Sequence, residues 1–388
     1  AELRVPLIKP DVFKGVYHLD LNTAARFESF SDGYNSGVKP YFGLRYQPFK
    51  DLLLRGTIQR TFRAPTLVQL YGGETQSLVS GLPDLRRPQA LTGDPFDGTA
   101  TQRLVRAGGN PALTPETAKS YQYGFVYEMP WKYLKGLSVG GSFIRIEQTN
   151  IITTTGSTYI RQNEVGGGTA DLVVRDPGTE TYRNNGTTNI NILSGGNGVT
   201  TPLAPGASAT VPGRIQYLLD RVQNLAYQRV EAFDFEVNYR KRTAEYGQFS
   251  FRSNATYLKF YGSTRNLAIP AANVVGRDGY PRYRLQSSLL WTRKEWTAGI
   301  THNFVNHYGN FPTGGFEVSR YYTVGLVASY DMPVSAFDWL NNTRVTVGVD
   351  NLLDKDPSLY TGAGLGYDQS FVSRPAGRFL SIGLRKTY

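Results

Sequence analysis

A two-residue period recurs along most of this chain and constrains its fold more than any other feature. In "FDFEVNY", Phe233, Phe235, Val237 and Tyr239 fall on one face of an extended strand, and Asp234, Glu236 and Asn238 on the other. A one-residue slip would exchange the two faces, so the alternation fixes register. The pattern also runs through "HLDLNTAARF" (Leu19, Leu21, Ala25, Phe27), "VKPYFGLRY" (Val38, Phe42, Leu44, Tyr46) and "LLLRGTIQRTF" (Leu52, Leu54, Ile58, Phe62). It continues in "SYQYGFVYE", in the blurred "GLSVGGSFIRIE" and, after a long gap, in "QFSFRSNATYL", "RYRLQSSLLWT", "WTAGITHNF", "RYYTVGLVASY", "TRVTVGVDN" and "GRFLSIGLRKTY". With "ELRVPLI" at the start these make about thirteen candidate strands, and no segment of comparable length carries a helical period.

Composition agrees with strands and turns: aromatics form 13% of the 388 residues, and there are 42 Gly. Cysteine is absent, which excludes disulfides and thiolate metal sites. Residue 1 is Ala, so a leader has been removed or the piece starts downstream of one. No apolar run is long enough for a spanning helix, but a spanning strand needs only about ten alternating residues. The net charge of +11 is scattered rather than gathered in a basic block, which argues against a nucleic-acid partner.

The connections sharpen the choice. Short ones ("QPFKD", "EMPWKYLK", "KRTAEYG", "RKE") alternate with long ones, at 63–118, 148–228, 259–281, 306–319 and 350–377. A soluble sandwich has no reason for that rhythm. A transmembrane antiparallel up-and-down β-barrel does, with short periplasmic turns and long extracellular loops. The span 148–228, rich in Gly, Asn, Thr and Pro, reads as a structureless outer loop. On this reading Phe233, Phe235, Val237 and Tyr239 face lipid, and Asp234 and Glu236 face a wet interior together with Arg55, Arg252 and Arg284. Tyr46, Phe62, Tyr127, Tyr257, Trp291, Trp296, Tyr330 and Trp339, near strand ends, are candidates for interfacial girdles. An odd count of thirteen in a single-chain barrel suggests a partial one.

Five stretches carry a family resemblance in order: "ELRVPLI" (2–8), "FRAP" (62–65) with Leu67, Leu70 and Tyr71, "GNPALTPETAKSYQYGFVYE" (109–128), "VTVGVDNLLDKDP" (345–357) and "GRFLSIGLRKTY" (377–388). Together they resemble TonB-dependent outer-membrane receptors, and the aromatic Tyr388 resembles the ending of that family's last strand; Lys386 departs from it. The resemblance implies a barrel of about 22 strands, with residues 1–388 supplying the last thirteen and the N-terminal plug and first barrel strands absent. It implies active uptake of a scarce bulky solute (siderophore-iron, cobalamin or carbohydrate) driven by the TonB–ExbB–ExbD complex through the plug. It also implies contact with the outer membrane and its lipopolysaccharide. No cofactor is implied.

The motifs also have physical readings. In "LTPETAKSY" Thr114 suits a cap and Pro115 a first helical position, which predicts a brief helical turn. Asp350 and Asn351 predict an Asx-type turn, and Pro65 an end to strand pairing. "GAGLG" (362–366) reads as loop glycine rather than a phosphate loop. Loop residues Tyr71, Arg86, Arg87, Tyr159, Arg161, Tyr182 and Arg277 are candidate contacts for a polar or anionic ligand, through amphipathic rings and planar guanidinium groups. Interior Arg55, Asp234, Glu236, Arg252 and Arg284 are candidate plug contacts. The alternatives are a passive porin and a rim-site hydrolase using His302 and His307; no Ser-His-Asp constellation supports the latter.

Overall fold

The computed structural model describes residues 1–8, 15–30, 33–265, 270–277, 279–310, 316–332, 341–360, 366–368, 370–371 and 377–387. Thirteen strands form one sheet: β1 Glu2–Ile8, β2 His18–Arg26, β3 Lys39–Phe49, β4 Leu52–Arg63, β5 Glu116–Glu128, β6 Leu137–Thr154, β7 Val222–Thr243, β8 Gly247–Thr264, β9 Tyr283–Arg293, β10 Trp296–Val305, β11 Tyr321–Asp331, β12 Thr343–Asp350 and β13 Phe379–Lys386. Each pairs antiparallel with the next in sequence, which makes an up-and-down meander. β1 and β13 end the order and do not pair with each other. Among the described residues no helix is long and apolar enough to cross a membrane.

Register aligns the alternation across strands. One row joins Leu44, Gly56, Tyr123, Phe143, Phe233, Tyr257 and Tyr283. Its rings lie side by side, with centroids 5.0 Å apart from Tyr123 to Phe143 and again from Phe143 to Phe233. The adjacent row points the other way and joins Arg45, Arg55, Gly124, Ser142, Asp234, Thr256 and Arg284. The apolar face is uncovered: Phe42 and Ile58 are each 54% exposed and Ile382 79%. An uncovered apolar face of this extent suits hydrocarbon rather than water, where each large side chain gains about 1.5–3 kcal/mol on leaving water.

Connections 50–51, 129–136, 244–246 and 294–295 lie at one end of the sheet, and 64–115, 155–221, 265–282, 306–320 and 351–378 at the other. The strands outrun the expected boundaries. β6 reaches Thr154, β7 starts at Val222 and β8 reaches Thr264, so Tyr257 lies inside its strand rather than at an end. The span 148–228 is not structureless. It holds a helix at Ser157–Gln162 and strands at Val173–Arg175, Thr179–Arg183, Ile190–Leu193, Thr200–Leu203, Ser208–Pro212 and Ile215–Leu219.

The helical turn expected at Thr114–Pro115 is absent, because Asn224 brackets that backbone. Its Oδ1 accepts from Thr114 N–H at 2.7 Å, its Nδ2 donates to Thr114 O at 2.7 Å, and β5 begins at Glu116. After Pro65, Thr66 caps a short helix, Leu67–Tyr71, with Gln69 completing a reciprocal capping box. Asn351, at φ 51°, exchanges hydrogen bonds with the backbone of Lys355 and so turns the chain after β12. Trp339, Tyr388 and residues 362–365 of the glycine loop lie outside the described residues.

Candidate functional site

The two longest connections fold into one unit. Thr75–Val79 and Arg103–Ala107 come from residues 64–115, and Val173–Arg175 and Ile215–Leu219 from residues 155–221. They form a four-stranded sheet in which Ile215–Leu219 pairs parallel to Arg103–Ala107. Leu82, Val105, Ile160, Leu172, Ile215 and Leu218 pack into a small core beneath it. This core is hydrophobic in the ordinary soluble sense, unlike the uncovered face of the large sheet.

Ion pairs bind the two halves together. Arg175 uses all its N–H donors: Nε and Nη2 donate to Glu164 at 2.7 Å each, Nη1 and Nη2 to Asp84 at 2.6 and 2.9 Å, and Nη1 also to Gly213 O. Burial alone would lower its pKa, but the hydrogen bonds to Glu164 and Asp84 outweigh that and hold the guanidinium well above its ordinary value. Arg86 donates to Glu164 at 3.0 Å. Arg87, 1% exposed, donates to Asp97, Glu180 and Pro212 O and lies 5.6 Å from the Tyr182 ring. The Tyr182 hydroxyl donates to Glu180, and that bond holds the phenol up. Arg161 and Arg103 are also buried, and desolvation lowers the pKa of both. Arg161 Nη1 donates to Pro83 O and Arg103 Nε to Leu82 O.

Thus Arg86, Arg87, Arg161 and Tyr182 come together: Arg86 pairs with Glu164, Arg87 with Asp97 and Glu180, and the Tyr182 hydroxyl bonds Glu180, while Arg161 meets the Pro83 carbonyl. Tyr71, Tyr159 and Arg277 do not join them. Tyr71 ends its helix 61% exposed, Tyr159 is half-buried in Ser157–Gln162 with its phenol raised by burial, and Arg277 is exposed and forms a bridge with Gly309. Asp84, Glu164 and Arg175 carry no sequence signal of their role, because their partners lie up to 91 residues away.

The second element of the site is a cavity of about 880 Å³ on the polar face of β8–β12, at the long-loop end. Asn254, Thr256, Arg284, Gln286, Asn303 and Thr323 are among its lining residues. Arg284 lies 5.8 Å from the Phe371 ring, which stacks edge-on against Tyr308. The Tyr308 hydroxyl donates to Asp368 at 2.6 Å and fixes that rim. Hydroxyls, amides, the Arg284 guanidinium and the Asp350 carboxylate, with Leu285, Phe304 and Val305 among them, make a wall suited to a polar solute, with aromatic rings at its mouth. Parity along the strands was the sequence signal for it.

Arg55, Asp234 and Arg284 share one polar row, with Glu236 in the next row on that face and Arg252 in the one after it. Asp234 accepts from Thr256 at 2.7 Å, and Arg252 donates to Asn238 at 3.0 Å. His302 lies inside β10 on the apolar face, opposite Ser287 and Val324, while His307 faces Glu317 at 3.7 Å in the loop beyond. Among the described residues no three His, Asp or Glu side chains gather to hold a metal ion.

A family profile described as TonB dependent receptor-like, β-barrel, matches residues 11–352. Two solved structures illustrate the likeness. One is the ferric enterobactin receptor of Pseudomonas aeruginosa, at 18% identity and TM-score 0.59 over 96% of this chain and 43% of that one. The other is the siderophore receptor PirA of Acinetobacter baumannii, at 15% identity and TM-score 0.58 over 99% of this chain and 44% of that one. The chain therefore spans less than half the length of the proteins it superposes on. A search of curated protein sequences gave no match.

Proposed function

The chain belongs to the TonB-dependent receptor-like β-barrel family, and from that premise we propose that it forms the wall and outer loops of a receptor for energised solute uptake. The family is one of transport receptors, not enzymes, and membership implies the outer membrane. The observation that carries the reading is the polar-face cavity beneath the loops, with Arg284 in its wall and Phe371 at its rim. A cation beside an aromatic mouth suits a bulky ligand with anionic oxygens and flat rings.

Among the solute classes, siderophore-iron is favoured, because the similar structures are receptors for ferric enterobactin and for siderophores. The exposed Tyr71 and Arg277, with Tyr159, are assigned first contact with that ligand. Arg86, Arg87, Arg161 and Tyr182 act by holding the loops in shape. Arg55, Asp234, Glu236, Arg252 and Arg284 line the interior and face a plug, through which the TonB–ExbB–ExbD complex supplies force.

The test is import of radiolabelled iron chelates by a deletion strain and its complemented parent, with and without dissipation of the proton gradient. Import lost on deletion and on dissipation supports the receptor. Import lost on deletion but indifferent to the gradient favours a passive pore, and unchanged import of every chelate overturns uptake of this class.

A further inference from the structure

Two arginines of the loop unit are buried without a carboxylate of their own. Arg103, which opens the strand Arg103–Ala107, is 4% exposed, and Arg161, in the helix Ser157–Gln162, is 8% exposed. They come from different connections and meet on one dipeptide: Arg103 Nε donates to Leu82 O at 3.2 Å and Arg161 Nη1 to Pro83 O at 2.8 Å. Arg103 Nη2 and Arg161 Nε are fully enclosed and find no acceptor among the described residues. Leu82 and Ile160, beside them, belong to the small core, so the surroundings are apolar.

The carboxylates of the unit are already engaged. Asp84 accepts from Arg175 and from the backbone N–H groups of Arg86 and Arg87, and Glu164 accepts from Arg175 and Arg86. Asp97 takes Arg87 and Thr92, Glu180 takes Arg87 and Tyr182, and Asp94 pairs with Arg214. Asp84 attracts Arg103 and Arg161 through space but bonds to neither, and desolvation still lowers both pKa values. With Arg103 and Arg161 added to these pairs, six guanidinium groups face five carboxylates, an excess of one positive charge. A guanidinium does not shed its proton, so titration cannot remove the excess. An enclosed charge without a counter-charge is strongly destabilising. A water satisfies the two N–H groups but leaves the charge.

We propose that Arg103 Nη2 and Arg161 Nε hold a small monovalent anion of the chloride class, which ties residues 64–115 to residues 155–221 much as Arg175 ties Asp84 to Glu164. One negative charge balances the set, whereas a divalent oxyanion would reverse its sign. The apolar surroundings also favour an ion that sheds its water readily, as a halide does and sulfate does not. The site belongs to the loop unit and is independent of the solute carried.

The protein as made in cells, in detergent, is followed by hydrogen exchange while sodium chloride replaces sodium gluconate at constant ionic strength. Protection of 75–107 and 155–219 should rise with chloride, reaching about tenfold at ten times Kd, while that of 229–241 stays constant. Arg103→Met removes the excess charge and should abolish the chloride response. Arg183→Gln, at an exposed arginine of the same connection, should keep it. Bromide-soaked crystals should show an anomalous peak in contact with both Arg103 Nη2 and Arg161 Nε. A parent without a chloride response, a response reproduced by sulfate, or one retained in Arg103→Met overturns the site. Should that variant fail to fold, the bromide peak decides. Its absence, its presence elsewhere, or its appearance only far above the chloride range of the exchange response, which would mean an adventitious ion only, overturns the site as well.

Discussion

Arg175 is the side chain on which the loop unit most depends. It joins Asp84 from one connection to Glu164 from the other with its side chain only 10% exposed. Removing one partner of a buried pair leaves the others charged and unsolvated, at a cost of about 3–5 kcal/mol. Arg175→Met should therefore melt the unit while β1–β13 stay intact: hydrogen exchange should rise over 75–107 and 155–219 and stay slow over 229–241. Uniform protection in the variant would remove Arg175 from this role. Such a role is illegible in sequence, since a loop arginine looks the same whether its carboxylate lies 91 residues away or its charge is in solvent.

Tyr280 offers a pH test at the same scale. Its ring stacks on Tyr261 at 4.0 Å, and burial, followed by the hydrogen bond to Tyr261, pushes its pKa up to about 12. A raised acid favours the fold while neutral, so its contribution is complete below the ordinary value of about 10 and fades as pH rises through about 12. Tyr280→Phe should flatten the stability-against-pH curve between those limits, followed by thermal unfolding. A parallel fall in parent and variant would assign the loss elsewhere.

At the scale of the element, the alternation in β7 makes an asymmetric prediction. Phe235 is 50% exposed on the apolar face, and Glu236, one residue on, accepts from Asn238 on the polar face. Phe235→Lys puts a charge where lipid would sit and should cost about 2–4 kcal/mol, whereas Glu236→Lys should stay within about 1 kcal/mol. Urea titration of bilayer-inserted protein reads the difference, and equal penalties would mean that neither face meets hydrocarbon. The long strands were legible because a two-residue period sustained along a whole segment such as 233–239 is incompatible with a helix, whose side chains return to one face at a different spacing. The short strands at 173–175 and 190–193 hold too few residues to show a period, so their span read as structureless. At Thr114 and Pro115 the local preference for a helix was real, but two hydrogen bonds between Thr114 and Asn224, one accepted and one donated by that remote amide, overrode it.

For the whole molecule, the decisive feature is the pair of outer strands. Among the described residues β1 and β13 each have a row of backbone groups with no strand beside them, and they carry Leu3, Leu7, Leu380, Ile382 and Leu384 on the uncovered face. In water such an edge invites association, and in hydrocarbon each unpaired N–H or C=O costs several kcal/mol, more than the side chains beside it recover. A stable inserted state therefore requires both edges to be paired. Residues 1–388 produced alone and offered to bilayers should accordingly give no compact, heat-modifiable band on a cold gel, and should cross-link between copies through cysteines placed at Leu3 and Leu384. A sharp monomeric band from this segment alone would show that β1 and β13 find each other, which the order of the sheet does not anticipate. Because pairing is a property of backbone and not of side chain, apolar-to-polar substitutions on β13 should leave that outcome unchanged.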